Sequence, residues 1–119
     1  TQGNDDQVLF KFRKAGAYKI GIYLVASEGV GSSADVTANV YKSTDNGSSY
    51  GSSLFNITAD ASSPNTTNDA DYDITVAAND WAKIAVTTTT GRFRLAVIIG
   101  VADENAIFGV DCIRINNFS

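Results

Sequence analysis

Histidine and methionine are absent from this 119-residue chain, and cysteine, proline and tryptophan occur once each. Without histidine there is no Ser-His-Asp triad. With a single cysteine there is no disulfide within the chain, and the ligand sets of zinc and haem sites cannot be assembled. No apolar run approaches the ~20 residues with which a helix crosses a bilayer. Basic residues are few, 9 Lys and Arg against 13 Asp and Glu, and the net charge of -4 argues against a nucleic-acid surface. Thr1 to Asp6 is polar and acidic and lacks the basic start and apolar stretch of a secretory leader. The small Thr1 fits a complete chain whose initiator Met has been removed, and a mature chain or excised module that has lost its leader is the rival expectation. Cys112 lies in an apolar stretch, where a lone cysteine is expected to be buried as a small hydrophobe.

The residues that are present, 44% of them hydrophobic, suffice for one packed core, and they alternate with a period of two. Val8 to Phe12 opens the pattern, and Gly16 breaks it. Tyr18, Ile20, Ile22 and Leu24 then fill alternate positions, as do Val36, Ala38 and Val40. Leu54 to Ile57 is a short apolar stretch, followed by a long polar segment from Ala59 to Asn68. Tyr72, Ile74 and Val76 alternate with Asp71, Asp73 and Thr75. Trp81, Ile84 and Val86 lead into a Thr run, and Phe93, Leu95, Val97 and Ile99 follow Gly91. Ile107 to Ile115 reads as a last long strand, with Glu28 to Ala34 and Asp103 to Asn105 as loops. About eight short, regularly spaced strands rich in Val, Ile, Thr, Tyr and Phe predict an all-β antiparallel sandwich over residues 8–119, preceded by a polar arm over residues 1–7.

Three groups of residues are candidates for function. Asp69, Asp71 and Asp73 have the spacing of the first ligands of a calcium loop, with Asp80 at the twelfth position. Ile74, however, stands where such a loop needs glycine, so a solvated acidic strand edge is the preferred reading and calcium the alternative; no other cofactor is expected. Tyr23, Tyr41, Tyr50 and Trp81 are candidates for a ring platform that binds a glycan. For Trp81 a place in the core is the first expectation, since it opens a strongly apolar strand. Other carboxylates, for example Asp103 or Glu104 with Asp111, could be considered as an acid/base pair, but no spacing holds such a pair across a cleft, so no enzyme is expected.

Ser43-Thr44-Asp45-Asn46-Gly47-Ser48-Ser49-Tyr50 resembles the Asp-box pattern of sialidase-like propellers and other β proteins. Its Asp45 is expected to accept backbone hydrogen bonds, Asn46-Gly47 to supply positive φ angles, and the aromatic to pack beneath the turn, a structural hairpin rather than chemistry. Trp81-Ala82-Lys83-Ile84-Ala85-Val86-Thr87, Gly91-Arg92-Phe93-Arg94-Leu95 and Phe108-Gly109-Val110-Asp111-Cys112-Ile113-Arg114-Ile115 resemble the closing strands of galactose-binding-like jelly rolls, including carbohydrate-binding modules. Asp111 then falls at a structural position of the last strand. Ala15-Gly16-Ala17-Tyr18-Lys19-Ile20 resembles their strand entry, and also that of the trimeric jelly rolls of tumour necrosis factor and complement, the alternative fold.

The resemblance implies a jelly roll that works by contact. The leading expectation is a structural, non-catalytic protein of a virus particle surface, phage being the class in view. It would serve as capsid decoration, fibre or spike, on the virion, assembling with its own copies and other particle proteins. The alternative is an extracellular carbohydrate-binding module whose aromatic side chains recognise a polysaccharide. Neither nucleic acid nor membrane is an expected partner.

Overall fold

The computed structural model describes residues 6–26, 36–59, 66–87, 93–102 and 108–116. They form eight strands and, among the described residues, no helix: β1 (Asp6–Phe12), β2 (Gly16–Ala26), β3 (Val36–Ser43), β4 (Phe55–Ala59), β5 (Thr66–Val76), β6 (Trp81–Thr87), β7 (Phe93–Val101) and β8 (Val110–Asn116). Two antiparallel sheets result, one of five strands in the order β4-β3-β6-β1-β8 and one of three in the order β5-β2-β7. The fold is an all-β antiparallel sandwich. The pairs β1–β8, β2–β7 and β3–β6 are nested, as in one long hairpin rolled over itself, the winding expected of a jelly roll.

Side chains of a strand point alternately to opposite faces, so each period-two run sends one set between the layers. Ile20 and Leu24 of β2, Val36 and Val40 of β3, and Ile84 and Val86 of β6 are all fully buried there. Ile74 and Val76 of β5 join them, so the predicted core faces are the observed ones. The ring of Phe12 packs 4.8 Å from that of Tyr18, whose hydroxyl donates to the Lys14 carbonyl at 2.8 Å. Along the β4–β5 side the layers are closed by Phe55 stacked on Tyr72 at 5.3 Å and by the Asn68 side-chain amide donating to the Thr58 carbonyl.

Several boundaries differ from the sequence reading. Asp6 and Gln7, assigned to the arm, pair with Val86 and Ala85 as the start of β1. The polar segment ending at Asn68 contains the first turns of the ladder of β5: Thr66 to Asp69 pair with Ala26 to Tyr23. Thr67, Asn68 and Asp69 are exposed, so backbone pairing and the Asn68 side-chain hydrogen bond hold this end and no apolar alternation marks it. Strand β8 begins at Val110, because Phe108 and Gly109 are drawn to the β1–β2 turn, where Gly109 accepts hydrogen bonds from Arg13 and Lys14. A Cβ on Gly109 would lie 2.5 Å from the Lys14 side chain, which explains the glycine. Cys112 is exposed rather than buried: the register of β8 against β1 shifts between Leu9 and Phe10, and the strand lies at the sheet's edge. The loops expected at Glu28 to Ala34 and Asp103 to Asn105 lie outside the described residues, as do Thr88 to Thr90.

The fully buried Ile20 marks how much the interlayer contact contributes. Ile20→Ala should lower the unfolding free energy by about 2–5 kcal/mol in a denaturant titration, the range for truncating a buried isoleucine.

Candidate functional site

The chain leaves β3 at Ser43 and turns at once through the Ser43–Tyr50 segment, before β4 completes the antiparallel pair. The turn is built around one carboxylate. Asp45 Oδ1 accepts from the Ser43 hydroxyl at 2.6 Å and from the Ser49 amide at 2.8 Å, while its Oδ2 accepts from the Ser49 hydroxyl. Ser43 Oγ in turn accepts from the Gly47 amide at 2.9 Å. Hydrogen bonds to the charged form favour it. The hydroxyls of Ser43 and then Ser49 accordingly hold the Asp45 carboxyl at about 2, below its ordinary 3.8.

Asn46 and Gly47 take φ of 61° and 84°, the left-handed pair expected of Asn-Gly. The aromatic beneath Gly47 is Trp81 of β6 rather than Tyr50 of the turn itself. A Cβ on Gly47 would meet the indole at 3.0 Å, and Trp81 Nε1 donates to Asn46 Oδ1 at 3.0 Å. This corrects the expected core position of Trp81. Ala82, Ile84 and Val86 take the inward positions of β6, so parity puts Trp81, Lys83 and Ala85 on the outer face.

On that face, Tyr41 of β3 lies directly across from Lys83. The ammonium of Lys83 sits 4.8 Å from the centroid of the Tyr41 ring and 4.4 Å from that of Tyr50. Each such contact contributes about 0.5–1 kcal/mol at an exposed site. Three of the four platform candidates, Tyr41, Tyr50 and Trp81, therefore come together, with Lys83 as a member that aromatic spacing did not disclose. The alternation Trp81-x-Lys83-x-Ala85 was its only signal. Tyr23 is separate: it stands 48% exposed on the outer face of the three-stranded sheet.

The acidic group separates too. Asp69, Asp71 and Asp73 line the outer face of edge strand β5, roughly 7 Å apart at the two-residue strand repeat. Asp73 is 3.6 Å from Lys19 across the ladder. Asp80 is not a fourth member. It is only 6% exposed, and its Oδ2 accepts from the Ala77 amide at 2.9 Å, capping the turn into β6. The same turn receives β1, since Phe12 donates its amide to the Asp80 carbonyl and Asn79 donates to the Phe12 carbonyl. Asp80 therefore stands apart from the acidic row, and no group of three metal-ligating side chains occurs among the described residues. Asp111 has a structural contact, its carboxylate 2.9 Å from Arg13 Nε, and Asp103 and Glu104 lie outside the described residues.

No family model matches the chain, and no curated protein matches it.

Because the Asp45 carboxyl is lowered in the folded chain, its contribution to stability is complete above the ordinary value of 3.8 and is lost as pH falls towards 2. Wild type should therefore melt above Asp45→Asn at pH 6, and the two melting curves should converge by about pH 2. Gly47→Ala should cost about 1–2 kcal/mol at every pH, from its left-handed φ and the indole beneath it.

Proposed function

We propose that the chain is a non-catalytic structural sandwich of a virus particle surface, phage being the class in view, and that it acts through contacts between its own copies and neighbouring proteins. The observation that supports this reading is the set of large apolar side chains left in water: Tyr23, Leu54, Ile98, Phe108 and Ile113 are between 43% and 73% exposed. Tyr23 and Ile98 are diagonal neighbours around Gly21 on one sheet face, so they form a patch rather than isolated residues. Burying such patches between symmetric copies is the usual source of homo-oligomer stability. The jelly-roll resemblance supplies the particle context. In size-exclusion chromatography with light scattering, the chain should run at a multiple of its monomer mass. A monomer at the highest soluble concentration overturns the reading.

A carbohydrate-binding module is the second reading, favoured by Tyr41, Tyr50 and Lys83 on one face beside Trp81. It requires that a soluble xylan or glucan change the Trp81 fluorescence and that Tyr50→Ala abolish the change. Unaltered emission across a polysaccharide panel removes it.

A further inference from the structure

Strand β7 is an edge of the three-stranded sheet, and among the described residues its strand partner is β2 alone. Exposed edges are ordinarily protected by charge, shortness, proline or bulges. Strand β5 at the opposite edge carries three aspartates, β4 has five residues, and β8 has a shifted register against β1. Strand β7, which runs Phe93-Arg94-Leu95-Ala96-Val97-Ile98-Ile99-Gly100-Val101, has Arg94 as its single charge and shows no shortening, proline or register shift. Two further features belong to the same strand. Its inward residues Leu95, Val97 and Ile99 are only partly buried, whereas Ile20, Ile22 and Leu24 beside them on β2 are at most 2% exposed. On its outward side Ile98 is 73% exposed, the most of any large hydrophobic described.

A backbone edge with no strand beside it among the described residues, flanked by the half-covered row Leu95, Val97 and Ile99, fits an extended strand with apolar residues at alternate positions. We infer that this strand is the β7 of a second copy, paired antiparallel about a two-fold axis at Val97. In that register Val97 faces its symmetry mate, Leu95 faces Ile99 of the second copy, and Ala96 faces Ile98. The inward rows of the two copies join into one apolar layer, and the exposed Ile98 gains a neighbour. The single charged side chain, Arg94, faces Gly100, so no like charges meet across the seam. A nine-residue strand is about 30 Å long at the antiparallel repeat, so in this register the seam runs the whole length of β7.

The inference rests on the reading that copies associate, and the test separates the two. Ile98 is in water in the single chain, so Ile98→Lys should keep the wild-type circular dichroism and melting curve of the monomer while weakening self-association at least about tenfold. In a Cys112→Ser background, Val97→Cys should form a covalent dimer on oxidation. Leu95→Cys should not, because the two copies of residue 95 lie about 13 Å apart, beyond disulfide reach. A wild-type assembly that Ile98→Lys leaves intact, or equal cross-linking at 95 and 97, overturns the β7 seam and leaves the assembly reading standing. A monomeric wild type overturns both.

Discussion

The structure depends on the apolar layer between two antiparallel sheets and on the parity rule it imposes. Once Ile20, Ile22 and Leu24 of β2 and Ile84 and Val86 of β6 point inward, every odd residue of β2 and β6 is committed to an outer face. Shifting a strand by one residue would exchange the two sets completely, so the buried layer holds the register firmly. The position of Trp81 beneath the Asn46-Gly47 turn follows from this, as does that of Lys83 between two tyrosine rings. Neither contact would form without the inward commitment of Ala82 and Ile84.

The two layers are unequal, and the inequality shapes the surface. Five strands on one side face three on the other, so among the described residues the smaller sheet ends at β7 without a further strand beside it. The β4–β5 side is closed by the Phe55–Tyr72 stack and by the Asn68 side chain. Around β7, by contrast, the inward row is partly covered and Ile98 stands in water. The acidic row on β5 and the apolar β7 are two edges of one sheet with opposite tendencies. Carboxylates along an edge discourage strand addition, and an apolar edge invites it.

The fold was largely legible in the alternation itself. Tyr18 to Leu24, Val36 to Val40 and Phe93 to Ile99 show their inward sets directly, because burial on one face demands apolar residues there. The start of β5 was illegible because Thr67 to Asp69 are exposed and are held by backbone pairing and the Asn68 side-chain hydrogen bond rather than by apolar burial. The Ser43–Tyr50 turn was legible down to the roles of Asp45 and Gly47, since a turn is closed by residues near in sequence. The aromatic beneath it was not, because Trp81 is 35 residues beyond Asn46. Asp80 illustrates the same limit: its spacing from Asp69 suits a cation, while its carboxylate caps the turn next to it.

What the amino-acid sequence determined by itself was the set of local choices: strands, turn chemistry, and which side of each strand is apolar. These depend on neighbours two to four residues apart. Which outward side chains share a face, that Cys112 is exposed, and which strands form the sheet edges among the described residues were decided only by tertiary pairing. The physical reason is that strand order and register couple residues far apart in the chain, and no local periodicity carries that information.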